Sequence, residues 1–160
     1  MSVATADLYD DFADELAIVP PVFRSFGGRE AFCGEVVTLK VFEDNSLVRE
    51  LSAEPGLGRV LVVDGGGSLR RALLGDRLAS RAMDNGWAGV VIDGCVRDAA
   101  ILRNFHLGIQ ARAAVPAKTI KRGEGQRDLA VQIAGVTVRP GDWLYADADG
   151  IVIASRKLHG

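Results

Sequence analysis

Residues 59–98 read RVLVVDGGGSLRRALLGDRLASRAMDNGWAGVVIDGCVRD, and the fold turns on them. Arg59 to Asp64 is a short continuous apolar run closed by three glycines, the pattern of a strand buried on both faces. Leu78, Ala79, Ala82 and Met83 follow at helical spacing, Gly86 suits a C′ stop, and Trp87 to Asp93 is a second buried run. Strand, helix and strand within about 35 residues make a βαβ-sized unit with a right-handed crossover. In such a unit the loops at the carboxyl ends of the strands carry the ligand.

Outward from this unit the punctuation is clear. Thr5 can cap a helix over Ala6 to Leu16 that holds Asp7, Asp10 and Asp11 in its first turns and stops before Pro20 and Pro21. In Cys33 to Phe42, Val37, Leu39 and Val41 alternate with Thr38 and Lys40, as in a half-buried strand. Asp44 or Asn45 caps a short helix beginning at Ser46 and halted by Pro55–Gly56. After Asp98, a short helix (AAILRNF) leads to a strand (GIQARAAV), and Lys118 to Asp128 reads as a charged, mobile loop. Leu129–Ile133, Val136–Val138, Trp143–Ala146 and Ile151–Ala154 then read as hairpin strands separated by Gly and Asp turns. The expected class is mixed α/β, a single domain over residues 1–160 with a central βαβ unit and C-terminal β-hairpins.

Composition narrows the function. A chain of 160 residues can bury roughly 70% of its unfolded surface in one core. The net charge is −2 and the nineteen Lys and Arg are scattered, so no footprint for nucleic acid stands out, although a basic face assembled in three dimensions stays open. Cys33 and Cys95 are far apart and outside metal-ligand spacing, which suits reduced, buried thiols. The acidic amino terminus has no signal-like apolar run and no window reaches 18 apolar residues, so a cytoplasmic protein without membrane contact is expected.

Three groups of residues invite chemistry. Gly65–Gly66–Gly67 lacks both the third dinucleotide-loop glycine and a Gly-Lys-Ser/Thr, so a tight turn explains it better than a nucleotide or methyl-donor site. Asp76 stands at the helix start; with Asp76 as cap, the N–H groups of residues 75–78 point outward as a site for a carboxylate. Arg97–Asp98 follows the second buried run: the guanidinium suits a carboxylate and Asp98 offers a hard oxygen for Mg²⁺ or Mn²⁺. His106 reads as structural and His159 as frayed, and neither has a nucleophile partner. Asp64, Asp93, Asp147 and Asp149 are explained by turns, though the first two could line the same cleft.

FGG (26–28), FEDN (42–45), RVLVVDGGGSLRRALLGD (59–76), GVVIDGCVRD (89–98), GIQA (108–111) and PGDWLYADADGIVI (140–153) together closely resemble one family. It is the family of the regulator of ribonuclease E activity A and the 4-hydroxy-4-methyl-2-oxoglutarate aldolases, and the match covers nearly the whole chain. The resemblance implies a swivelling β/β/α domain forming a homotrimer with sites at subunit interfaces. It also implies a divalent-metal-dependent pyruvate aldolase that can decarboxylate oxaloacetate. Gly75, Asp76, Arg77 and Leu78 correspond to the substrate-carboxylate loop, Arg97 to the residue binding the 2-oxo acid, and Asp98 to the metal ligand. Asp76 is also one candidate for moving protons. A second implied role is docking on an endoribonuclease as its inhibitor. Two departures stand out: the aldolase pattern has an acid three residues after Asp98, where this chain has Ile101, and longer aldolases carry a carboxyl-terminal extension that brings a further acid to the metal. Fewer acids are therefore expected around the cation, to the cost of the aldol step more than of decarboxylation.

Overall fold

A computed structural model describes residues 3–160. Along the chain lie α1 (Thr5–Phe12), a 3₁₀ turn (Ala13–Glu15), β1 (Leu16–Ile18), β2 (Arg24–Ser25), β3 (Phe32–Lys40), α2 (Ser46–Ser52), β4 (Val60–Asp64), β5 (Ala72–Leu74) and α3 (Asp76–Asp84). They are followed by β6 (Gly89–Val96), α4 (Ala99–Leu102), β7 (Gly108–Ala114), β8 (Gln126–Arg127), β9 (Val131–Ile133), β10 (Val136–Val138), β11 (Trp143–Asp147) and β12 (Gly150–Ala154). The βαβ reading holds: β3, β4, β6 and β7 are hydrogen-bonded in that order and all parallel. No helix among the described residues is long and apolar enough to cross a membrane.

The architecture is β/β/α, and β3 is the hinge of it. Its first residues pair antiparallel with β11 (Cys33 opposite Tyr145), while Val36 to Lys40 pair parallel with β4. Side chains alternating along the central strands therefore enter two different cores. Val37, Leu39, Leu61, Val63, Val90 and Ile92 meet Val48 and Leu51 of α2 and Ala79 and Ala82 of α3. Val36, Val60, Val62 and Val91 face Leu144 and Ala146 of β11, Ile151 and Ile153 of β12 and the β9–β10 hairpin. A third cluster joins Leu8 of α1 to Tyr145, Val152 and Leu158.

Several local expectations are corrected. β3 is buried on both faces: Thr38 is fully buried because its hydroxyl donates to the Leu129 carbonyl at 2.7 Å, which satisfies the polar group in the core. Thr5 is the first helical residue and not the cap; its N–H and hydroxyl donate to the Asp147 carboxylate at 2.7 Å each. The first helix is also shorter than its apolar spacing implied, because Leu16–Ile18 pairs antiparallel with Val152–Ala154 of β12 and leaves the helical path. β5, three buried residues between the glycine turn and α3, is an additional strand. Cys33 is half-buried, Cys95 fully so, and both are free thiols. Burial raises the pKa of each above the ordinary thiol value, opposed at Cys33 by nearby Arg29 and Lys157. His159 is docked and not frayed: its Nδ1 lies 2.8 Å from the Tyr145 hydroxyl, and its ring stands edge-on to Trp143 and Tyr145. His106, read as structural, is exposed.

The charged loop after Lys118 is tied down. Asp44 is buried; its Oδ1 accepts the Ser46 N–H and hydroxyl, starting α2, and its Oδ2 accepts the N–H groups of Arg122 and Glu124 at 2.8 and 3.1 Å. Beside it, Thr119 donates to Asn45 Oδ1 at 2.7 Å and Ala72 bridges to Lys118. Burial alone would raise the Asp44 pKa, but the donors from Ser46, Glu124 and Arg122 outweigh it and hold the carboxyl down at about 2. A depressed folded-state value stabilises the fold above the ordinary value of 3.8, and that contribution is lost as pH falls through about 2. Asp44→Ala is expected to cost on the order of 3 kcal/mol at neutral pH. It should also open the chain to trypsin at Lys118, Lys121 and Arg122, sites expected to stay uncut in the wild type under the same limited digestion. The stability difference between wild type and Asp44→Asn, from urea denaturation, should shrink as pH falls from 4 toward about 2.

Candidate active site

Two parallel strands end side by side and supply the site. β6 pairs with β4 as far as Asp93, its register then shifts, and Cys95 and Val96 pair with β5. The Arg97 N–H donates to the Leu74 carbonyl at 2.9 Å, the last rung before both chains turn into helices. Gly75 and Asp76 therefore leave β5 next to where Arg97 and Asp98 leave β6.

The joint is tight and strained. Asp98 Oδ2 accepts the Asp76 N–H at 2.9 Å. A Cβ on Gly75 would lie 2.8 Å from that oxygen and 3.3 Å from Arg97 Cγ, so glycine is what permits the approach. Asp98 itself is left-handed, φ 61° and ψ 37°, and its carbonyl accepts the Ile101 and Leu102 N–H groups at 2.9 Å. A non-glycine residue held there stores backbone strain, which proteins retain where a side chain must be aimed.

This corrects the expected cap. Gly75, extended at φ −128°, is the cap residue, Asp76 is the first helical residue, and the N–H of Asp76 is already taken by Asp98. The capping acceptor comes from the neighbouring strand end, a long-range partner that no local pattern encodes.

All six anticipated residues, Gly75, Asp76, Arg77, Leu78, Arg97 and Asp98, line one cavity of about 660 Å³. Asn45, Arg49, Ala72, Arg81, Lys118 and Lys121 complete its wall. The basic face left open by the sequence is thus real: six cations and two carboxylates share one cleft, although the chain as a whole is slightly acidic. Such a cleft concentrates anions. Arg81 was findable, since it is four residues from Arg77 and so on the same helix face. Arg49 and the two lysines arrive from elements distant in sequence and carried no such signal. Ile101, 45% exposed on α4, is not part of the lining.

The remaining candidates serve the scaffold. Asp64 accepts the N–H groups of Gly66 and Gln132, and Asp93 those of Ala134 and the Arg112 Nε, so the two acids clip the β9–β10 hairpin to the sheet away from the cleft. Gly65 and Gly67 donate to the Asp93 carbonyl at 3.1 and 3.0 Å, and Gly66 and Gly67 have φ of 66° and 71°, the tight turn expected. Asp147 holds Thr5 and the N–H of Asp149. Among the described residues, no three His, Cys, Asp or Glu side chains gather as a metal cage.

Known proteins resemble this chain throughout. The RraA-like family profile, described as Aldolase/RraA, matches residues 5–153. A protein of Alkalilimnicola ehrlichii named "Putative 4-hydroxy-4-methyl-2-oxoglutarate aldolase" is 61% identical over 99% of this chain and 98% of its own. The structure titled as the RNA-processing inhibitor RraA from Thermus thermophilis superposes with a TM-score of 0.96 at 51% identity, covering 100% of this chain and 97% of that one. One titled as an S-adenosylmethionine:2-dimethylmenaquinone methyltransferase from Geobacillus kaustophilus gives 0.95 at 49% identity, covering 98% and 97%.

The strain at residue 98 is measurable. Asp98→Gly is expected to be more stable than Asp98→Ala by about 1 kcal/mol in urea denaturation, because only glycine adopts the left-handed backbone without penalty.

Proposed function

The chain belongs to the RraA-like (Aldolase/RraA) family, and from that premise we propose that it is a lyase that cleaves 4-hydroxy-4-methyl-2-oxoglutarate into two molecules of pyruvate and decarboxylates oxaloacetate. The observation that carries this reading is the convergence of Arg97, Asp98 and the Gly75–Leu78 turn in one cation-rich cleft. Those residues suit a short 2-oxo acid. Arg97 brings a planar fork to its carboxylate and keto oxygens, and the opening turn of α3, with Arg77 beside it, favours the same negative end.

The donor set fits a hard divalent cation. Asp98 and Asp76 are carboxylates at one joint, and Mg²⁺ or Mn²⁺ is commonly held by one or two carboxylates with substrate and water completing the shell. Such a cation, when bound, draws electron density from the keto group as the C–C bond breaks.

The residues do the rest. In the retro-aldol direction the C4 hydroxyl gives up its proton and the C3–C4 bond breaks. The C4 fragment leaves as pyruvate, and the bonding pair passes through C3 into the 2-oxo group as a pyruvate enolate. Arg97 stabilises the charge that develops on that oxygen. Asp76, a carboxylate in the same cleft, is the candidate for holding the proton between its removal from the hydroxyl and its return to C3. In oxaloacetate the same enolate forms as CO₂ leaves, with no hydroxyl proton to remove. Ile101, standing where the aldolases have an acid, leaves fewer proton carriers, so decarboxylation is the more robust of the two reactions. The enzyme is taken to be a cytoplasmic homotrimer with its clefts at subunit boundaries.

A second reading is supported by the likeness to the Thermus RNA-processing inhibitor, namely docking on an endoribonuclease. A pull-down with the host endoribonuclease at micromolar protein tests it, and absence of binding removes it.

For the lyase, pyruvate release from both substrates with Mg²⁺ or Mn²⁺ is the measurement. Arg97→Ala and Asp98→Ala should each lower kcat/KM by at least about a hundredfold, the loss usual for groups that stabilise developing charge. Wild-type rates no higher than metal alone, or variants unchanged, would refute the reading. Gly75→Ala, which intrudes on Asp98 Oδ2, should lose activity similarly while its Tm stays within a few degrees of the wild type.

A further inference from the structure

Residues 155–160 lie against the fold without belonging to any helix or strand. Arg156 donates to the Glu15 carboxylate at 2.8 Å and its guanidinium stands over the Phe12 ring. The Lys157 ammonium lies 5.4 Å from the centre of the Trp143 ring, and Leu158 is buried in the cluster that holds Leu8 and Val152. Beyond Arg156 the polar anchor is the Tyr145 hydroxyl of β11. It accepts the Leu158 N–H at 2.8 Å and lies 2.8 Å from His159 Nδ1.

Those two contacts fix where the protons are. Tyr145 is fully buried, and among the described residues its hydroxyl has no acceptor other than His159 Nδ1. A buried hydroxyl proton left without an acceptor carries its full desolvation cost, so Tyr145 donates to Nδ1. The hydrogen-bond network thereby assigns His159 as the neutral tautomer with its proton on Nε2. In the imidazolium both ring nitrogens are donors, so Nδ1–H and the tyrosine O–H would face each other and one would go unpaired. The surrounding charges give the imidazolium no compensation. Burial first, then Lys157 and the amino-terminal charge, lower the His159 pKa from its ordinary 6.5. Cys33 of β3, opposite Tyr145 in register, and Tyr145 itself are both raised by burial and stay neutral, with Arg29 a further cation beside Cys33. The Glu15 carboxylate is taken up by Arg156.

We infer that His159 and Tyr145 form a proton-operated latch: the segment after Arg156 is docked on β11 while the imidazole is neutral and is released when the ring takes up a proton. A lowered folded-state value stabilises the docked form fully above 6.5, and that contribution is lost as pH falls from there toward the lowered value. Release uncovers the apolar socket that Leu158 fills beside Leu8, Tyr145 and Val152. It stops at Arg156, because the hydrogen bonds from Arg156 hold Glu15 below the ordinary carboxylate value and keep it charged in this window.

The test is backbone ¹⁵N relaxation of the whole chain at about pH 7.5 and about pH 5, either side of the ordinary histidine value. In the wild type the order parameters of the Leu158 and His159 amides should fall from about 0.8 to below about 0.6, while those of Arg156, Val62 and Val91 hold. The His159 ring, followed through its own titration, should have a midpoint below 6.5. His159→Phe keeps an aromatic ring but cannot titrate, and His159→Asn offers an acceptor in place of Nδ1 that stays unprotonated, so each should give the same order parameters at both pH values. A wild-type segment equally ordered at both, one already mobile at the higher pH, a ring midpoint at or above 6.5, or a pH step that survives in His159→Phe would overturn the proposal.

Discussion

A strand buried on both faces and flanked on both sides must find two complete sets of backbone partners, and β6 is that strand here. All eight of its residues are buried, so any backbone group left unpaired in it would be heavily penalised. β7 supplies one edge for most of its length. The other edge is shared: β4 covers the first half, ending at Asp64 opposite Asp93, and β5 covers the second. The site depends on that change of partner. With β4 pairing to the end, the chain leaving β6 would emerge beside Asp64 and the glycine turn; with β5 in place it emerges beside Gly75 and Asp76.

How far this could be read from the chain differs by level. The βαβ unit was legible because RVLVVD and WAGVVID are short apolar runs with a helix-spaced segment between them, and strands with such runs need neighbours on both sides. Asp76, Arg97 and Asp98 were legible as candidates because turns at strand ends are where parallel sheets bind ligands, while the choice of Gly75, Arg77 and Leu78 beside them came from the family resemblance. What was hidden shares one cause, partners far along the chain. Thr38 looked solvent-facing until Leu129 supplied its acceptor, Thr5 looked like a cap until Asp147 did, and Asp76 looked like a cap until Asp98 took that role. The loop after Lys118 read as mobile from its charge and glycines alone. Its order comes from Asp44, which has no pattern linking it to Arg122 or Glu124.

The same residues show how stability and function are divided. Asp64 and Asp93 each give one oxygen to a backbone donor of the β9–β10 hairpin and the other to Gly66 or Arg112, and stay with the scaffold. Asp98 spends one oxygen on the Asp76 N–H and occupies a backbone conformation that costs energy. A chain selected for stability alone would place glycine there. The aspartate instead delivers a fixed acceptor to a cation-rich cleft, and Gly75 gives up its own side chain so that it can.

The pairing of Leu16–Ile18 with Val152–Ala154, reinforced by Thr5 on Asp147 and by Glu15 on Arg156, sets a timetable for synthesis. The amino-terminal strand is made early, yet its only lateral partner among the described strands is the final one. Through most of translation it is an edge without a mate, and closing a loop of that length is slow because its entropy must be overcome before any contact rewards it. The parallel core from β3 to β7 can assemble first, as a vectorial process. The two remote segments then clasp last, so β1 stays an open β-edge until β12 has been made.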